Sequence, residues 1–247
     1  MTQATAQTIS PSLEYALDTL DELRVLGPRK ETFDVRKCLG ALYELRWDAE
    51  DLVAQRRDSA NREAVQRPWK PIDRLDGLEL ASGLSFLMLV QNQVESLLAL
   101  AGLTRLGHLD LSGNAGLRDL TPLGGLSGLR TLVLENTLVT DLAPLARLSS
   151  LVSLSLKGGA VVDVGPLASL SGLTTLNLKS TQVADVRPLA SVRGLKEVNL
   201  AATPVTDLRP LLELTQLTKV YVSGMGNQLP GASELAERGV LKIALVF

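Results

Sequence analysis

The sequence predicts an α/β fold: a right-handed solenoid of short coils with a parallel sheet on its concave side, preceded by a helical N-terminal segment. Two observations predict it. The frame L-x-x-L-x-L begins at Leu84, Leu106, Leu129, Leu151 and Leu173, and degenerate copies begin at Leu195, Leu217 and Val240. The steps between them are 22, 23, 22, 22, 22, 22 and 23 residues. The second half of five successive repeats then reads D-[LV]-x-P-L-x-x-[LV], from Asp119, Asp141, Asp163, Asp185 and Asp207. A fixed period of about 20–29 residues carrying leucines in this frame is the mark of stacked leucine-rich coils.

The spacing explains each half of a repeat. The last two leucines of the frame are two positions apart, so both point to one side of a short strand and the residues between them to the other. A single coil cannot bury its leucines, whereas stacked coils form a continuous apolar core. In the second half, Asp is a good acceptor for the first free N–H groups of a helix. Pro122, Pro144, Pro166, Pro188 and Pro210, three residues later, still fall in a first turn, where a missing N–H costs little. Each of these repeats is therefore expected to carry a short 3₁₀ or single-turn α-helix on the convex side.

These motifs resemble the 22-residue leucine-rich repeat subclass of bacterial internalins and related intracellular repeat proteins, over roughly residues 72–239. The resemblance implies the solenoid fold and a binding rather than catalytic role, without naming a partner. It also implies an Asn after each strand that bonds the neighbouring coil. Here that position reads Asn92, Asn114, Thr137, Gly159, Thr181, Thr203 and Met225. Thr can make part of that bonding; the turns at Gly159 and Met225 are expected to rely on water or backbone partners.

Bulk composition narrows the function classes. Formal charge is −2, and residues 1–70 carry 12 acidic against 11 basic side chains, leaving 15 against 14 for the remainder. Neither part has the basic excess that nucleic-acid binding requires. A lone cysteine, Cys38, forms no internal disulfide and fits a reducing compartment. The start MTQATAQTIS lacks the basic and apolar regions of a signal peptide, and no run of about 18 apolar residues is long enough for a membrane span. Cytoplasmic residence is the expectation, with secretion as an effector lacking a cleavable signal as the alternative.

In chain order, residues 1–70 form the first unit and 71–247 the repeat domain of seven repeats and a closing strand. Residues 1–10 are polar. Ser10-Pro11 then gives a cap followed by Pro at the first helical position, with Leu13, Leu17, Leu20 and Leu23 at helical spacing up to Gly27-Pro28. A second amphipathic helix is expected from about Thr32, with Val35, Cys38, Leu39, Leu42, Leu45, Ala49, Leu52 and Val53 on its stripe. Cys38, Trp47 and Trp69 read as packing residues. Beyond Arg56 the chain is polar, Pro68 and Pro71 bracket a connector, and the half-repeat IDRLDGLELASGL enters the solenoid. Residues 11–66 read either as a cap over the open end of the core or as a docking module. At the other end, Ser233–Arg238 is expected to be helical and Val240–Phe247 to form the last strand. Its apolar outer edge could pair with a second copy.

Candidate chemistry reduces to one surface. His108, Asp110 and Ser112 share a strand face, but a nucleophile triad needs histidine in the middle, and residues two apart on a strand are separated by roughly 6.6–6.8 Å. One His and one Cys cannot furnish a transition-metal shell. The row of repeat aspartates, which might suggest a calcium ladder, is accounted for by capping. No Walker-type or dinucleotide-type glycine loop is present, so no catalytic residue, metal or cofactor is expected.

The outward positions of the strands remain as a partner-binding face: Phe86, Met88, His108, Asp110, Glu135, Lys157, Asn177, Lys179, Asn199 and Tyr221. Phe86 and Met88 at one end and Tyr221 at the other are the large anchors; the middle is small and polar. Folding of the N-terminal helices over Phe86, Met88 and Val90 is the competing use of that end. The expected function is a non-catalytic adaptor for a protein partner, with a bacterial effector or a regulatory subunit of an enzyme as alternatives.

Overall fold

The computed structural model describes residues 44–46, 71–224 and 228–244. Among the described residues nine parallel strands form one sheet in chain order: β1 (Glu44–Arg46), β2 (Phe86–Met88), β3 (His108–Asp110), β4 (Thr131–Val133), β5 (Ser153–Ser155), β6 (Thr175–Asn177), β7 (Glu197–Asn199), β8 (Lys219–Ser223) and β9 (Leu241–Ala244). Sequential neighbours that never reorder are the topology of a solenoid. The register repeats the leucine frame: Leu87 pairs with Leu109, Leu109 with Leu132, Leu132 with Leu154 and Leu154 with Leu176.

A single coil illustrates the packing. Leu151, Leu154, Leu156, Val161, Val164, Leu167 and Leu170 are all buried, and every one is matched by a buried residue in the next coil. Full burial of one such side chain stabilises by about 1.5–3 kcal/mol, but only because neighbouring coils supply the other walls.

The convex side carries 3₁₀ turns at Thr121–Gly125, Ala143–Arg147, Gly165–Ser169, Arg187–Ser191 and Arg209–Glu213, each with proline in its first turn. The aspartates act one residue earlier than a standard N-cap. Each accepts the N–H of the first helical residue two positions on, as Asp163 does from Gly165 at 2.7 Å and Asp141 from Ala143 at 2.8 Å. This is an Asx turn feeding the helix. Where the motif is missing, with Ser96 and Ala99 in place of Asp and Pro, the turn shrinks to Leu98–Leu100.

The column after the strands divides by residue type. Asn114 Oδ1 accepts from Val94 N at 2.9 Å, and its Nδ2 donates to Leu89 O and Leu111 O, both at 2.8 Å. Asn92 likewise accepts from Ile72 N at 2.8 Å. Thr137, Thr181 and Thr203 donate only to the carbonyl three residues back, so they keep the bond within a coil and lose the side-chain bridge between coils. Backbone bonds such as Leu138 N to Leu117 O, 3.1 Å, carry the connection there. Gly159 relies on its own N–H to Leu156 O, 3.0 Å, as expected, while Met225 lies outside the described residues.

One position earlier runs a left-handed column. Gln91, Gly113, Asn136, Gly158, Ser180, Ala202 and Gly224 all have φ between 51° and 75°. Gly158 is constrained twice over, because a Cβ there would collide with the Asn136 carboxamide of the preceding coil.

Two expectations need correction. The helix expected from Thr32 does not hold at Glu44–Arg46, which is extended and pairs with β2 through Glu44 to Phe86 and Arg46 to Met88. The physical reason is a second pattern in the same residues: Leu42, Leu45 and Trp47 also satisfy L-x-x-L-x-L, with Trp in the last place. The C-terminal helix spans Ala232–Glu237 rather than Ser233–Arg238, and the last strand is Leu241–Ala244. The remaining readings for residues 1–43, 47–70 and 245–247 lie outside the described residues. The inward-facing row of β9 leaves Ile243 49% exposed, since Val222, its buried partner in β8, has a coil on both sides and Ile243 has one.

Candidate functional site

The strand register sets the concave face. One column runs Phe86, His108, Thr131, Ser153, Thr175, Glu197 and Lys219; the next runs Met88, Asp110, Val133, Ser155, Asn177, Asn199 and Tyr221. Apart from exposed Lys219, these side chains are half-buried, while the residue between them on each strand is buried. Alternation along a strand and stacking across coils thus turn a 22-residue period into two straight rows.

At the N-terminal end the Phe86 and His108 rings stack, centroids 4.3 Å apart and planes 2° from parallel. Asp110 Oδ1 accepts from both Ser112 N at 2.9 Å and Ser112 Oγ at 2.6 Å. The Ser112 hydroxyl therefore donates to Asp110 and not to His108, which is not the order of a nucleophile and its base.

In the middle, Glu135 is held by two groups of the next coil: Ser155 Oγ donates to its Oε1 at 2.7 Å, and Lys157 Nζ lies 3.6 Å from its Oε2. Asn177 Oδ1 accepts the Lys179 N–H at 3.1 Å, and Asn199 Oδ1 the Ala201 N–H at 3.0 Å. At the C-terminal end Lys219 Nζ donates to Glu197 Oε2 at 3.2 Å. That carboxylate, followed by the Tyr221 phenol, raises the Lys219 pKa above its ordinary value.

Of the residues predicted from sequence, Phe86 with His108, and Glu135 with Lys157, touch one another. Asn177, Asn199 and Lys179 adjoin by register. Phe86 and Met88 do not meet Tyr221: β2 and β8 are six strands apart, or about 29 Å at the usual 4.8 Å spacing. Sequence reading missed the β1 positions Glu44 and Arg46 beside Phe86 and Met88, for which the Leu42, Leu45 and Trp47 frame was the available signal. It also missed the Ser155 bond that fixes Glu135.

Off the sheet, the repeat aspartates are engaged by their own turns. The Arg187 side chain, then its N–H, lowers the Asp185 pKa; Arg209 does the same for Asp207, and the Thr121 hydroxyl for Asp119. Among the described residues no three His, Cys, Asp or Glu side chains cluster as a metal site. A cleft of about 510 Å³ lies beside the turns that follow β2 and β3, against Asn92, Gln93, Glu95 and Gly116. It contains none of the predicted face residues.

No protein-family model and no curated protein matches the chain. Solved structures do. Internalin C2 of Listeria monocytogenes is 26% identical, with 90% of this chain and 100% of that one covered at a TM-score of 0.60. An internalin of the same organism, InlF, is 22% identical over 99% of this chain and 79% of its own, TM-score 0.58. The functional domain of Listeria monocytogenes InlJ is 18% identical over 78% and 41%, TM-score 0.53; it is described as containing a cysteine ladder, for which this chain, with one cysteine, has no counterpart. The latter two likenesses speak to fold alone. Among the described residues no helix is long and apolar enough to cross a membrane. The repeat period, the ordered parallel sheet and these likenesses agree: the chain folds as a leucine-rich repeat solenoid with 22-residue coils, similar to those of the internalins.

Proposed function

We propose that this chain is a non-catalytic scaffold that binds a protein partner across its concave sheet. The observation that carries the reading is the outward ladder of β2 to β8, half-exposed side chains held in strict register on a continuous rigid support. Small polar residues in the middle let a partner's backbone approach, while Phe86, Met88 and Tyr221 at the two ends supply the larger apolar surfaces that dominate binding energy. Because those anchors are about 29 Å apart, the partner spans several strands. The likeness to internalins adds weight to an interaction role. A single cysteine favours a reducing, cytoplasmic setting, with delivery as an effector as the alternative. The outer edge of β9, with half-exposed Ile243, favours a second copy of the chain as an additional partner.

The test is to co-purify the full chain with its partner from the cells that make it and map the complex by hydrogen exchange. Slowed exchange at β2 to β8 supports the reading. Slowed exchange confined to the 3₁₀ turns or to β9 contradicts it.

A further inference from the structure

We infer that Asn177, Asn199 and Lys179 form a carboxylate-recognition point that takes an aspartate or glutamate side chain from an extended acidic segment of the protein partner. This rests on the concave-face reading.

Two amides on this face have a fixed orientation. Asn177 Oδ1 faces the Lys179 N–H and Asn199 Oδ1 the Ala201 N–H. A backbone N–H can only donate, so the oxygen must be the atom turned toward it, and the NH₂ is left to face the open sheet. Among the described residues neither Nδ2 has an acceptor. Asp110, in the same kind of turn at the other end of the column, has no hydrogen to offer and already holds the Ser112 hydroxyl. The face thus changes along its length from acceptor to donor.

Asn177 and Asn199 are paired in register on adjacent strands, so the backbones that carry their NH₂ groups run about 4.8 Å apart. Two donors at that spacing can both reach one acceptor group, and a nearby positive charge makes that acceptor a carboxylate in preference to a neutral carbonyl.

The charge comes from Lys179. Lys157 is drawn to Glu135 and Lys219 to Glu197. Among the described residues Lys179, two positions beyond Asn177, has no carboxylate within ion-pair range. Its neighbours toward the C-terminal end are Ala201 and Ser223, too small to block approach. A single cation at this point of the face, on a chain of net charge −2, favours an acidic polypeptide over a nucleic acid, whose phosphates require several cations together.

The experiment is an NMR titration of the full-length isotope-labelled chain, reading the side-chain NH₂ signals of Asn177 and Asn199. The probe is a blocked alternating Glu–Ser peptide, with its Gln–Ser counterpart as control. The expected result is a saturable shift of both NH₂ signals with the Glu peptide and none with the Gln peptide. Lys179→Glu weakens the Glu peptide about tenfold or more. Asn199→Asp does the same, and it keeps an acceptor for the Ala201 N–H, so the turn survives. Absence of a shift, or wild-type affinity in both variants, overturns the inference. An equal response to both peptides at β6 and β7 also overturns it but leaves the concave-face reading standing. Shifts confined to the convex turns overturn both.

Discussion

Asn114 Oδ1 accepts the Val94 N–H at 2.9 Å across a coil boundary, in a place where no water reaches, since Asn114 is fully buried. Thr137, one coil further on, bonds within its own coil. Replacing Asn114 by Thr is therefore expected to leave the buried Val94 N–H without a partner and to lower stability by about 1–3 kcal/mol. Urea denaturation measures this; an unchanged midpoint at unchanged slope would show that the bridge contributes nothing.

The left-handed column gives opposite signs at two positions. A non-glycine residue in this region is disfavoured by roughly 1–2 kcal/mol, part of which glycine gives back through unfolded-state entropy. Ala202, at φ 56°, is exposed. Ala202→Gly is expected to stabilise by about 0.5–1 kcal/mol. Gly158→Ala is expected to destabilise by more than about 1 kcal/mol, since it adds both strain and a collision with Asn136. Thermal unfolding of the two variants checks the pair of signs; a loss of stability in Ala202→Gly contradicts the strain account.

Asp163 Oδ1 accepts the first N–H of its 3₁₀ turn at 2.7 Å. Asp163→Ala is expected to cost about 0.5–2 kcal/mol, the usual range for a lost cap, with no change in the response to calcium. A calcium-dependent rise in melting temperature that disappears in this variant would reassign the aspartate row to metal binding.

How much of this was legible beforehand follows from what each feature depends on. From β2 to β8 the sheet, its register and the two outward rows follow from the leucine frame, because alternation by two and a period of 22 residues leave few other arrangements; at β9 the frame from Val240 fails, since Val220 pairs with Leu241 and not with Ile243. The convex turns followed from Asp and Pro spacing, although the aspartates bond one residue earlier than an N-cap. The strand at Glu44–Arg46 was hidden because Leu39, Leu42 and Leu45 also recur at helical spacing, and short apolar runs satisfy both periods. The left-handed column was half hidden: Gly113, Gly158 and Gly224 advertise it, whereas Gln91, Ser180 and Ala202 in the same place do not. Within the face, the outward residues were identifiable, but the Ser155–Glu135–Lys157 arrangement depends on side-chain rotamers that no spacing encodes.

Because β1 pairs with β2, removing residues 1–70 should uncover the β2 edge and the leucines behind it. The fragment 71–247 is expected to aggregate or to unfold at lower temperature than the full chain. Light scattering and calorimetry of the fragment decide this, and a soluble, monomeric and equally stable fragment would make the N-terminal segment an independent module.

The central claim is that the concave sheet is the binding face, and calorimetry with the purified natural partner tests it most directly. Tyr221 is half-exposed on the second row, so its truncation should barely alter folding, whereas Lys157→Glu reverses a charge in the middle of the face. Tyr221→Ala is expected to weaken binding by about 1–3 kcal/mol, the ordinary range for an aromatic anchor. Lys157→Glu is expected to weaken it measurably through orientation. Wild-type affinity in both variants would contradict the claim and move the site to the N-terminal segment or to the edge of β9.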